Sequence, residues 1–144
     1  MKREVSMNWM YLGEEVVEAP AFASGFVYRV INNINGRMYI GQKKLLTSQI
    51  KRKAGKRNKR VIKESDWRNY WGSNKELLED IQYYGEANFT REILLWCKSK
   101  GDMNYYELKY QMIEEVLEKE QYYNVYVGSR IHANHLSCNK KPRS

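Results

Sequence analysis

Two tyrosines, Tyr28 and Tyr39, stand on either side of Asn32-Asn33-Ile34-Asn35-Gly36, a stretch dense in turn formers. Side chains alternate along a strand, so the centre of the turn decides whether the two phenols share a face. A two-residue turn at Ile34-Asn35 pairs Tyr28 with Gly41 and Tyr39 with Val30, setting the phenols diagonally on one face. A turn centred on Asn35-Gly36 keeps them on one face but further apart. A three-residue turn with a bulge at Gly36 separates them. Phenols on one face offer a candidate base; two ordinary half-buried strand tyrosines fit the same spacing.

Other catalysts are scarce. Both histidines, His132 and His135, lie near the C-terminal end, which leaves no core histidine for Ser-His-Asp, Cys-His or histidine-based nuclease chemistry. With Cys138 they form H-x-x-H-x-x-C, which could supply three zinc ligands if Cys97 or a carboxylate gave a fourth; a surface tail is the plainer reading. There is no Gly-rich phosphate loop. The base of an enzyme here is therefore Tyr, Lys or a carboxylate. Glu107-Leu108-Lys109 fits a short E-x-K nuclease pattern, although it falls in a predicted helix.

Charge is concentrated in one place. Residues 43–63 carry ten cations, Lys43, Lys44, Lys51, Arg52, Lys53, Lys56, Arg57, Lys59, Arg60 and Lys63, and no Asp or Glu. The whole chain has a net charge of +8, so everything outside this segment is slightly acidic. That is the footprint of a polyanion binder, with nucleic acid as the favoured partner and a solvated loop or address signal as the alternative. Gly55 and Asn58 argue against a long helix, and a mobile basic arm lying along phosphates is expected.

These residues need elements to hold them. Gly25–Ile31 is rich in β-branched and aromatic residues, and with Arg37–Gly41 it predicts a β-hairpin. Ser73-Asn74-Lys75-Glu76 reads as a capping box with Ser73 as cap, opening a helix that buries Leu77, Leu78, Ile81 and Tyr84 and stops at Gly85. Phe89–Cys97 predicts a third strand. Asp102 is the expected cap of a second helix with an apolar stripe of Tyr105, Leu108, Met112, Ile113, Val116 and Leu117. Tyr122–Val127 is extended. The expected fold is α+β, a small three-stranded antiparallel sheet flanked by helices in a single domain. Residues 1–24 read as a lead-in or edge element, 25–126 as the domain with its basic insertion at 43–63, and 127–144 as a basic tail.

At 144 residues, with 42 % hydrophobic and 13 % aromatic residues, the chain can build a core, which rules out global disorder. No apolar run is long enough for a membrane span, the start has no signal-peptide core, and two distant cysteines suggest no disulfide framework. A cytoplasmic protein without a membrane partner is expected.

Phe26-Val27-Tyr28, then Tyr39-Ile40-Gly41, a basic stretch, a Ser-capped helix, a strand and a carboxylate-bearing helix resemble the GIY-YIG nuclease superfamily. The second triplet matches to the letter; Phe26 stands where the first glycine of the family would be, with Gly25 before it. Trp67-Arg68-Asn69-Tyr70-Trp71-Gly72-Ser73 and Tyr84-Gly85…Asn88-Phe89-Thr90-Arg91-Glu92-Ile93-Leu94 resemble its free-standing, phage-type homing endonucleases. The resemblance implies a metal-dependent DNA endonuclease leaving 5′-phosphate and 3′-hydroxyl ends. It implies Tyr28 and Tyr39 as the motif tyrosines, with Tyr28 taking a proton from the attacking water. Glu107 would be the ligand of one divalent metal, magnesium or manganese, and Asn124 would support the site. For the catalytic cation, Arg68 and Arg52 match equally, and Lys43 or Lys44 could serve. Double-stranded DNA is the implied partner, bound mainly through the basic segment, with a monomer or weak dimer both open. A non-catalytic nucleic-acid binder on a degenerate nuclease fold is the alternative.

Overall fold

A computed structural model describes residues 7–52, 54–128 and 131–136. In chain order the elements are β1 (Met10–Tyr11), β2 (Glu14–Glu15), β3 (Gly25–Asn32), β4 (Met38–Lys44), β5 (Leu46–Lys51), β6 (Lys59–Glu64), α1 (Lys75–Tyr84), β7 (Phe89–Cys97), α2 (Lys100–Ile113), β8 (Tyr126–Val127) and β9 (Ile131–His132). Short 3-10 turns lie at Trp67–Asn69, Glu86–Asn88 and Ala133–His135.

The expected three strands form the heart of the sheet, but the sheet has five, in the order β2-β1-β7-β3-β4. The lead-in supplies the other two as an edge: β1 pairs parallel with β7, Met10 opposite Glu92, and antiparallel with β2. The sheet is therefore mixed. Its interior strand β3, between β7 and β4, is covered on both faces, which explains why it reads as nearly continuous apolar sequence.

One face carries an aromatic cluster of Trp9, Phe26, Tyr28, Trp67, Trp71, Phe89 and Trp96, closed by Leu77 and Ile81 of α1. The other carries Val27, Ile40 and Cys97 under Met103 of α2, with Val116, Leu117, Tyr122 and Val127. A bulge makes the first cluster possible. The β3–β7 register shifts between Val27 and Tyr28, leaving Leu94 extra, so Ile93 and Trp96 both pack among the aromatics although three residues apart. Arg91 sits beside them, buried, its guanidinium stacked on Trp9 and Trp71 and donating to the carbonyls of Met7, Arg68 and Tyr70. Desolvation lowers its pKa to about 10.

Five sequence expectations change. Asn74, not Ser73, caps α1, accepting from Leu77 N at 2.9 Å, because Glu76 pairs with Arg37 and Ser73 with Tyr39. Leu78 points outward while Leu77 and Ile81 are buried. Ser99, not Asp102, caps α2. The inner face of α2 is Met103, Tyr106, Glu107, Tyr110 and Gln111, so Tyr105, Leu108, Met112 and Ile113 of the expected stripe are exposed. Finally, the basic segment is no loose arm. It is a two-stranded antiparallel ribbon, β5–β6, from Leu46 opposite Glu64 to Lys51 opposite Lys59. No helix among the described residues is long and apolar enough to cross a membrane.

Candidate active site

The β3–β4 hairpin closes through residues 33–36, four rather than two. Asn32 N donates to Arg37 O, and the side chains of Asn32 and Asn35 accept from Ile34 N and Arg37 N. The loop is still centred between Ile34 and Asn35, so the parity holds: Tyr28 pairs with Gly41 and Val30 with Tyr39. The two rings lie on one face with centroids 6.1 Å apart. Gly41 must lack a side chain, because a Cβ there would come within 2.6 Å of the Tyr28 hydroxyl.

The two phenols differ in surroundings. Tyr28 is only 1 % exposed, packed against Trp9, Phe26 and Tyr70, and burial pushes its pKa well above the ordinary tyrosine value. Tyr39 reaches a cleft, where its hydroxyl lies 3.1 Å from Ser73 Oγ. Burial raises its pKa too, and the Ser73 contact partly offsets that.

This cleft, of about 910 Å³, opens along β4, the outer strand of the sheet. Tyr39, Ser73 and Lys75 line it from the α1 side, Glu107 and Gln111 from the α2 side, and Asn124 between them. An edge strand brings both faces of a sheet to one place, which is how groups from opposite faces converge here. The exposed backbone of that edge has to be satisfied. The chain at 121–124 does so at Met38, whose N donates to Gln121 O and whose O accepts from Tyr123 N. At Ile40 the Asn124 side chain takes over: Oδ1 accepts from Ile40 N at 3.1 Å and Nδ2 donates to Ile40 O at 2.8 Å. Gln111 Nε2 adds a bond to the same carbonyl.

Glu107 is half-buried. Its Oε1 accepts from Gln42 Nε2 at 3.2 Å; Gln42 also bonds Asn104 and accepts from Lys100. Burial raises the Glu107 pKa above the usual carboxylate range, partly offset by Gln42 and Lys100. Lys109 is two residues on in a helix and points to a different side, so the E-x-K pair does not converge.

The candidate cations lie elsewhere. Arg68 stacks on Trp67 and donates to Glu64 and Val17 O. Arg52 follows the end of β5 at the tip of the ribbon. Lys43, on the face of Tyr28, stands 4.0 Å over the Tyr70 ring and 2.6 Å from Asp66, whose pKa it lowers. Lys44 is exposed at the end of β4. Among the described residues no arginine lines the cleft, and Lys75 is its one cation. Lys75, Ser73, Gln42 and Gln111 were not assigned to the site from sequence; Ser73, Gln42 and Gln111 join it through bonds between distant segments, and Lys75 lines the cleft. Lys53, Arg130 and Cys138 lie outside the described residues. His132 and His135 spend their Nδ1 atoms on Asn134 N and His132 N, and no group of three or more His, Cys, Asp or Glu able to hold a metal occurs among the described residues.

A family profile described as "Putative endonuclease segE, GIY-YIG domain" matches residues 9–127. Putative endonuclease segE of Enterobacteria phage T4 is 33 % identical over 103 residues, 72 % of this chain and 41 % of that protein. Putative endonuclease segD of the same phage is 30 % identical over 105 residues, 72 % of this chain and 38 % of that protein. The chain thus spans about two fifths of the length of these curated relatives. No solved structure matches it. A profile that takes in the whole sheet, both helices and the segment covering β4 leaves one assignment, and the chain belongs to the GIY-YIG family of phage segE endonucleases.

Proposed function

We propose that the chain is a divalent-metal-dependent DNA endonuclease that hydrolyses phosphodiester bonds to 5′-phosphate and 3′-hydroxyl ends, acting on duplex DNA as a free-standing homing endonuclease. The observation that carries this is the meeting of Tyr39 and Glu107, from opposite faces of the sheet, in one cleft at the edge of β4. The donor set suits a hard cation. Glu107 is a desolvated carboxylate with a raised pKa, and magnesium at phosphoryl sites takes one or two carboxylates, completing its shell with water and phosphate oxygens. When bound, such a metal supplies Lewis-acid stabilisation of charge on the phosphate and leaving oxygens.

The chain's own residues do the rest. Lys75 offsets phosphate charge in the cleft. Ser73 orients the Tyr39 hydroxyl, and Tyr39 rather than the enclosed Tyr28 receives the proton of the attacking water as the bond from phosphorus to the 3′ oxygen breaks. The leaving oxygen is protonated from solvent. Asn124 and Gln111 hold Ile40, and with it the Tyr39–Gly41 backbone, in place. Burial keeps both Tyr39 and Glu107 protonated to higher pH than usual, and each acts ionised, so cleavage should accelerate as pH rises through neutrality.

The test is supercoiled plasmid incubated with wild type and Glu107→Gln, each with magnesium and with chelator. Cutting by wild type with magnesium alone is expected. Equal cutting by Glu107→Gln would remove Glu107 from the site. Among the described residues no arginine lines the cleft, which favours a second reading, a duplex-binding protein without activity. Salt-sensitive binding without cutting under any condition would establish that one.

A further inference from the structure

The β5–β6 ribbon stands apart from the sheet; among the described residues its strands pair only with each other. It continues β4 directly and is clamped at its root. Leu45 is buried, Ser65 donates from N to Leu45 O and from Oγ to Lys44 O, and Glu64 accepts from Trp67 Nε1 and Arg68 Nε. A firm base holds an element that buries almost nothing of its own.

Register divides its side chains between two faces. Thr47, Gln49, Lys51, Lys59, Val61 and Lys63 share one; Leu46, Ser48, Ile50, Arg60, Ile62 and Glu64 share the other. The first face holds three cations and no acid. The second holds one of each sign and three exposed aliphatics, with Ile62 66 % exposed. An isolated two-stranded hairpin is marginal in water, so retaining this one suggests work done by its surface.

We propose that this ribbon enters the major groove of duplex DNA with the Thr47–Gln49–Lys63 face against the base edges, so that sequence preference resides in the ribbon and the cleft reads only the phosphodiester. A two-stranded ribbon fits a groove about 12 Å wide, and six residues of strand run about 20 Å along it. Gln49 has the amide that pairs with adenine N6 and N7, and Lys63 the ammonium that pairs with guanine N7 and O6. Lys51 and Lys59, with Arg52, Lys56 and Arg57 of the connecting turn, would meet flanking phosphates. The deep, narrow major groove of duplex RNA admits no such ribbon. This inference rests on the reading of the chain as a DNA-acting protein.

The test uses the full chain in chelator, which separates binding from cutting. Probes are a random-sequence duplex library, the same library methylated at guanine N7, and the library with its minor groove filled by netropsin. Wild type should select a sequence preference, lose about tenfold in affinity on N7 methylation, and tolerate netropsin. A Gln49→Ala/Lys63→Ala variant, with both changes on an exposed surface, should keep its melting temperature, lose the preference and become insensitive to methylation. An Ile50→Ser/Ile62→Ser variant should behave as wild type. Competition by netropsin without an effect of methylation, loss of preference only in the isoleucine variant, equal binding of duplex RNA, or no duplex binding at all would each overturn the inference. If methylation-sensitive binding persists while plasmid is never cut, the ribbon stands and the nuclease reading fails. If plasmid is cut but methylation has no effect, the reverse holds.

Discussion

Hairpins β3–β4 and β5–β6 follow one another with only Leu45 between them, and both are antiparallel. Yet β3 is buried on both faces, while the ribbon is largely exposed on both. In the first, every alternate side chain meets a packed layer, so its register is fixed by which residues must be covered. In the second, pairing is set by backbone bonds and a clamped root, and the side chains are left for something outside the chain. The first can hold reacting groups to a fraction of an ångström; the second can adapt to a partner's surface. The proposed nuclease would use both properties, and here they fall to consecutive stretches of sequence.

The comparison breaks most easily in the core. Phe26→Ala removes a fully buried ring at the centre of the aromatic cluster and should cost about 4 kcal/mol, read from chemical denaturation. A loss below 1 kcal/mol would mean that the two hairpins are not so different. Gly41→Ala comes next, at about 2 kcal/mol, since its Cβ strikes the Tyr28 ring, which has no room to retreat. Because Tyr39 is also touched, cutting should fall with stability. Glu107→Gln should shift stability slightly the other way. A raised carboxyl pKa favours the protonated form in the fold, so stability is full below the unfolded-state pKa and declines as pH rises through the folded one. At neutral pH the amide variant should therefore melt at or above wild type, and the gain should vanish below pH 4. The smallest effect belongs to the ribbon: Ile62→Ser should stay within about 0.5 kcal/mol of wild type.

What sequence alone conveyed follows the same division. The pairing of Tyr28 with Gly41 was one of three turn placements that the sequence left open; it holds although the turn is longer, because parity survives a change of turn length if its centre stays put, as it does between Ile34 and Asn35. Phe89–Cys97 was readable from β-branched and aromatic content, with both bounds right. The inner face of α2 was not. Its stripe runs through Glu107 and Gln111, polar residues drawn inward by Gln42 and by the backbone of Ile40, and periodicity in apolar residues cannot register such a demand. The α1 cap slipped for a related reason, since Tyr39 engages Ser73 from a distant strand. The ribbon was hidden by its charge, which reads as solvated loop, although Thr47, Ile50, Val61 and Ile62 are β-branched residues that suit strands.

The two amides on Ile40 have a consequence unrelated to chemistry. An outermost strand is a template on which a second molecule can add a strand of its own, and growth of that kind ends in aggregation. Asn124 occupies both backbone groups of Ile40 with a side chain, and a side chain, unlike a strand, offers no further row of donors and acceptors for the next chain to extend. The residue that steadies the cleft thus also caps the sheet at Ile40, filling the backbone positions that an added strand would need there.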